Sequence, residues 1–360
     1  CPVFRTRVDA EITTKIYQRV PVLISEETGE NYWGITFKQG LFNMSSDSYL
    51  FQTLPQLESD GFRLLGNKMK RGNEVWLPLY ESKMIWHYDH RFGSYEGVEN
   101  RQSTQTPTPK IWQYQNPDFQ IIPWYWVSEV NVKEQLIKKD SDGNTTWQWS
   151  NKWYLGFRDI TNSSNERTAV ISVEPYSAVG NNNPLIFHQY GAIGTSILQA
   201  NFSSLIFDFP TRFKIAGTHM NFFYVNQLPV KAFDSYTKGE ILIITTKTIE
   251  LSYSSWDIKP FADDVWKEAD EDLKAAITKQ WQENKEATGG HEWAPPEWCE
   301  IDEAGCPLPP FKWDENRRAV LKAELDAIYA KLYGLTTEEL RYILDPQDVY
   351  GADFPGETFR

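Results

Sequence analysis

Apolar residues recur at two different periods along this chain, and the change of period divides it. In CPVFRTRVDAEITTKIYQRV, residues 1–20, Ile12, Ile16 and Val20 fall on one face of a 3.6-residue repeat. That spacing predicts a helix, with Asp9 as its N-cap. The stretch to about residue 60 mixes short apolar runs with Gly and Ser and reads as a connector. IWQYQNP, IIPWYWVSEVNV, TTWQWSNKWYLGFRDI and TAVISVEPY are rich in β-branched and aromatic residues with partial alternation, which predicts strands. DSDGNTT, from Asp140, reads as a hairpin tip. Over 196–212 the helical period returns. Ile197, Leu198, Phe202, Leu205, Ile206 and Phe209 form the stripe, and Ser196 or Thr195 can cap it. ILIITTKTIELSY reads as another strand. Helices are predicted over 269–287, 314–333 and 336–344. Asp314 caps the second, Gly334 ends it, and Thr336 with Glu339 makes a capping box for the third.

The expected fold is therefore mixed α/β, of the α+β kind: a helical linker over 1–60, a twisted strand-rich domain over 61–250, and a helical domain over 251–360. Charge follows the same division. The net charge is −13, the wrong sign for a naive DNA binder. Residues 1–250 carry 24 Lys+Arg against 25 Asp+Glu, whereas 251–360 carry 12 against 24. The acidity belongs to the C-terminal third, which would repel DNA and face solvent or a protein neighbour. The first 250 residues can still hold a local basic face. At 41% hydrophobic residues the chain can bury a sizeable core, and no run approaches the 18 apolar residues of a membrane span. A cytoplasmic location is expected. Three cysteines make no disulfide framework, and they read as reduced thiols. The chain does not begin with Met and reads as an excised fragment.

Catalytic motifs are missing. No Gly-rich turn after a strand offers a site for S-adenosylmethionine, and no Asn/Asp-Pro-Pro-aromatic loop could hold a flipped base. NNNPLIF and WAPPEW depart from that loop pattern. No P-loop, GxSxG elbow or HExxH helix is present. HYDH, at 87–90, could chelate a metal. So could Cys299 and Cys306 near His291, but neither set offers four ligands at tight spacing, and no metal site is expected. Lys83, Asp89, His90 and Arg91 read instead as a charge-paired segment docking a neighbouring domain.

Two segments carry the functional signal: YLGFRDITNSSNERTAVISVEPYSAVGNNNPLIF, from Tyr154, and GTHMNFFYVNQLPV, from Gly217. With MSSDSYLF, LPLYESKMIWHYDHRFGSY, SWDIKPFADDVW and the tail from PPFKWDENRRAVL to LRYILDP, they run in order along nearly the whole chain. Together they resemble the target-recognition and helical tail region of large fused restriction–modification or phage-defence adenine-specific DNA methyltransferases of the type IIG kind. The resemblance implies that the chain selects a sequence in duplex DNA. An N-terminal methyltransferase domain, absent here, would use S-adenosylmethionine; this fragment itself needs no cofactor and is not expected to methylate alone. Other subunits of the defence system are further expected partners. A different reading remains, a protein-interaction module that docks such a subunit without touching DNA.

Recognition of duplex DNA needs cations for phosphates and forked donors for base edges. Arg158 and Arg167 flank the polar loop DITNSSNE, and they could reach the groove or pair with Asp159 or Glu166. Asn181 and Asn182, with Asn183, could read adenine or simply form a turn after Gly180. Lys214, Thr218 and His219 follow the 196–212 helix and could bond phosphate or lock their loop to the sheet. Lys68, Lys70 and Arg71 form the densest basic run, a phosphate clamp or a solvated turn.

Overall fold

A computed structural model describes residues 4–101, 106–215 and 217–345, together with Gln347 and Gly351. In chain order the regular elements begin with α1 (Arg7–Arg19), β1 (Thr36–Lys38), β2 (Phe51–Gln52), α2 (Leu54–Ser59), β3 (Arg63–Leu65), β4 (Lys68–Arg71) and β5 (Glu74–Tyr80). They continue with α3 (Ile111–Tyr114), β6 (Trp126–Ser128), α4 (Glu129–Gln135), β7 (Ile137–Lys139), β8 (Thr145–Gln148), β9 (Trp153–Phe157), β10 (Ile171–Pro175), β11 (Ala178–Val179) and β12 (Leu185–Phe187). The rest is helical: α5 (Gly191–Ser203), α6 (Leu205–Lys214), α7 (Phe222–Asn226), α8 (Lys238–Ser252), α9 (Lys259–Glu268), α10 (Glu271–Thr288), α11 (Glu315–Leu332) and α12 (Thr337–Leu344).

The fold is α+β, with antiparallel sheets beside a helical layer. One sheet has the order β1-β12-β9-β10. A second runs β2-β6-β5-β4-β3, and β11 adds to it in parallel, Ala178 opposite Leu79 and Val179 opposite Tyr80. The chain passes from the first sheet to the second between Pro175 and Ala178. β7 and β8 form a separate hairpin. The DSDGNTT turn is its tip, where the Asp140 carboxylate accepts from the backbone of Asp142 (3.0 Å) and Asn144 (2.9 Å).

Gly156, in β9, is required by a close approach. A Cβ there would stand 2.0 Å from Glu174 Oε1, because the Glu174 side chain of β10 lies across it. Glu174 is fully buried, accepts two 2.9 Å bonds from the Asn183 amide, and is pushed by burial up to about 8.

Several sequence expectations need correction. The cap of α1 is Thr6; Asp9 is the return arm of its capping box. IWQY forms α3, and EVNV belongs to α4. The single helix expected over 196–212 is two: α5 begins at Gly191, and Ser204 both ends it and caps α6 through Phe207 N. ILIITTKTIELSY is not a strand but the body of α8. Thr237 and Glu240 close a capping box at its start, and burial supplies the stability that its β-branched residues lack as helix formers. The C-terminal helices match their expected caps, with Asp314 bonding Arg317 N and Thr336 bonding Glu339 N.

One hydrophobic cluster spans the chain from Ile12 in α1, through Leu155 and Ile171 in the sheet and Phe202 in α5, to Leu325 and Ile343 in the last helices. Ile249, Tyr253, Ile258 and Phe261 belong to it, so residues on both sides of the expected boundary between 250 and 251 share one core. Residues 4–20 are built into that core as well.

Candidate nucleic-acid interface

The two segments that carry the resemblance meet in space. Beyond β9, Asp159 N donates to Asn182 O (3.1 Å), while Asp159 O accepts from Met220 N (2.7 Å). Thr161 N donates to Thr218 O (3.0 Å), and Ile160 bridges His219. The His219 Nδ1–Asp159 Oδ2 distance is 3.0 Å. Residues 159–166 and 217–223 thereby form one loop cluster.

Its inner side is tied down. Thr161 Oγ1 donates to Thr168 O (2.7 Å) and accepts from Asn165 Nδ2 (3.2 Å). Asp208 of α6 accepts from Thr168 N (2.9 Å) and Ala169 N (2.7 Å) with one oxygen, and from Arg212 Nε (3.1 Å) with the other. Arg212 in turn donates to the carbonyls of Ser163 (3.1 Å) and Glu166. This Asp208–Arg212 pair was not singled out in the sequence; its signal is the i, i+4 spacing of opposite charges on a helix. The outer side is open: Ser163, Ser164, Asn165, Thr218 and His219 are exposed, as are two large apolar side chains, Ile160 (53% exposed) and Phe223 (56%). The cluster thus offers amides, hydroxyls and apolar contacts on a held backbone.

The flanking arginines face inward. Arg158 donates through Nε to Ile85 O (3.0 Å) and lies over the rings of Trp86 (4.8 Å) and Phe92 (5.3 Å). Burial lowers its guanidinium to about 10. Arg167 donates to Ser203 O (2.6 Å), with Asp208 3.8 Å away. Neither takes Asp159 or Glu166 as its ion-pair partner, as one sequence reading had it. Lys214 is half-buried with Tyr17 beneath it, and desolvation lowers its pKa.

Asn181 serves the turn. Its Oδ1 accepts from Met44 N (2.9 Å), its carbonyl accepts from Gln39 Nε2 (2.6 Å), and Asn183 N closes on Gly180 O (3.0 Å). Asn182 is half-buried beside it. The basic run of β4 is spread out by strand alternation. Lys68 turns towards Trp298 and Glu300 in a cleft, desolvated and lowered in pKa. Lys70 is half-buried. Arg71 stacks over Phe62 (4.4 Å) and donates to Glu74 (2.9 Å) and Asp60 O (2.6 Å).

The segment read as docking a neighbouring domain makes its contacts within this chain, to residues 114–119 and to Ser254, Asp257 and Arg318 in the helical part. Arg91 is fully buried and donates to the carbonyls of Asn116, Phe119, Tyr114 and Ser254, each at 3.2 Å. His90 Nε2 is 2.9 Å from Asp257 Oδ1, Asp89 Oδ1 accepts from Arg91 N (2.8 Å), and Arg318 of α11 donates to Tyr88 O (3.3 Å). Lys83 pairs with Glu81 (3.3 Å) beside Tyr95.

No helix of the described residues is long and apolar enough to cross a membrane. No protein-family model matches the chain, and no curated protein matches it.

Proposed function

We propose that this chain reads a sequence in duplex DNA for an S-adenosylmethionine-dependent adenine methyltransferase of a restriction–modification or phage-defence system. Methyl transfer belongs to a catalytic domain outside the chain. The observation that carries the reading is the joining of residues 159–166 to 217–223, some sixty positions apart, into one exposed cluster. Asn162 Oδ1 is engaged by Ser164 and Asn165 Nδ2 by Thr161, so each amide offers its other end to an adenine edge in the major groove, and Ile160 and Phe223 offer apolar contact to a thymine methyl. Tying the loop through Arg212 and Asp208 lowers the entropy lost on binding. Arg158 and Arg167 act here as supports. Substituting Asn162 and Asn165 by Ala in the full-length enzyme, then mapping methylated sites by single-molecule sequencing, tests this: the reading requires a relaxed or altered motif. A second reading, docking of a defence-system subunit without DNA contact, draws on the same exposed Ile160 and Phe223. Binding through them would be insensitive to salt, whereas DNA binding weakens steeply as salt rises.

A further inference from the structure

The loop cluster offers few cations of its own, so phosphate contacts must come from beside it. The nearest continuation runs through β1. Phe222 of the cluster stacks on Phe37 (4.7 Å between centroids, 15° between planes), and the next residue of β1 is Lys38. β1 is an edge strand, paired only with β12. The β7–β8 hairpin is seated next to it: Trp147 and Trp149 pack on Phe187 of β12 (5.1 and 4.8 Å), and Phe187 is the register partner of Thr36. Lys38 is anchored to Gln135 at the end of α4, through its carbonyl and through Oε1 (3.1 Å). Lys138 lies over the Trp147 ring (5.6 Å), and Lys139 is exposed.

Among the described residues no carboxylate forms an ion pair with Lys38, Lys138 or Lys139, whereas Lys247, Lys259, Lys267 and Lys274 each hold one. The neighbouring Asp140 spends its oxygens on its own turn. Lys38 is held below the ordinary lysine value, first by burial and then by the charge of Lys138. Like charges held close together disfavour their own ionised forms, and an anion relieves that cost.

We infer that Lys38, Lys138 and Lys139 form a phosphate-contacting tract that grips the backbone of duplex DNA while the adjoining loop cluster faces the bases. This rests on the DNA-reading function proposed above. The tract fixes position and affinity and carries no sequence information.

The test is fluorescence anisotropy of the full chain with a labelled random-sequence duplex across a salt series. Each phosphate contact contributes about 0.9 to the slope of log affinity against log salt. K38Q/K138Q/K139Q should flatten the slope by about 2–3, and K138Q/K139Q, which leaves the partly buried Lys38 in place, by about 2. In the full-length enzyme the same variants should methylate less efficiently at an unchanged motif. Variants that keep the wild-type slope overturn the tract even if loop substitutions change the motif. A wild-type chain with no salt-dependent duplex binding overturns the DNA reading, and the tract with it.

Discussion

His219 Nδ1 lies 3.0 Å from Asp159 Oδ2, a contact across 60 positions of sequence that joins the loop after β9 to the loop after α6. The His219 side chain is 57% exposed, so the contact adds little to global stability. His219→Ala should shift the unfolding free energy by less than about 1 kcal/mol. It should nonetheless loosen the cluster and weaken binding to the enzyme's own target site. Urea unfolding and target-site affinity, measured on the same variant, separate the two effects. Equal losses in both would mark His219 as structural only.

Arg91 should behave differently. Its guanidinium is fully buried and serves four backbone carbonyls, three in the 114–119 stretch and one at Ser254. Arg91→Ala strips donors from those buried carbonyls and should destabilise the fold by about 3–5 kcal/mol. Arg91→Lys should recover little, since one ammonium cannot reproduce the planar fork. Denaturant midpoints of the two variants check this.

Gly156→Ala tests the packing of Glu174 across β9. The added methyl meets a carboxyl oxygen at 2.0 Å, so strand or side chain must move, at a cost of about 2 kcal/mol or more. Thermal melting of the variant reads it directly.

Glu174 also sets a pH dependence. Its folded value is raised from 4.5 to about 8 by burial. The stability it contributes is full below the unfolded value and is lost as pH rises towards 8, because the unfolded chain releases this proton first. Unfolding free energy should therefore decline from pH 5 to pH 8, and Glu174→Gln should flatten that decline. An equal slope in both proteins would contradict the assignment.

These residues show which parts of the fold could be read in advance. The last helices were legible because their signals are local: Asp314, Gly334 and the Thr336–Glu339 box act within one turn. α8 was not, because its Ile and Thr residues favour strands and only packing against α5, α10 and α11 holds them as a helix. The break at Ser204 was hidden because the apolar stripe continues across it. For the candidate site, the sequence singled out two loops that the fold joins. It could not show that Arg158 and Arg167 turn inward, since that depends on carbonyls at Ile85 and Ser203, distant in sequence. The docking segment was recognised as charge-paired, but its partner Asp257 lies 167 positions from His90, beyond any local pattern.

The most direct test exchanges only the outer loop residues, 162–166 and 218–219, for those of a methyltransferase with a different target. Asp159, Arg212 and Asp208 stay in place to preserve the support. Single-molecule sequencing then maps the methylated sites in cells. The methylated motif should change with the loops while methylation persists. An unchanged motif with full methylation would contradict it and move sequence reading elsewhere in the enzyme.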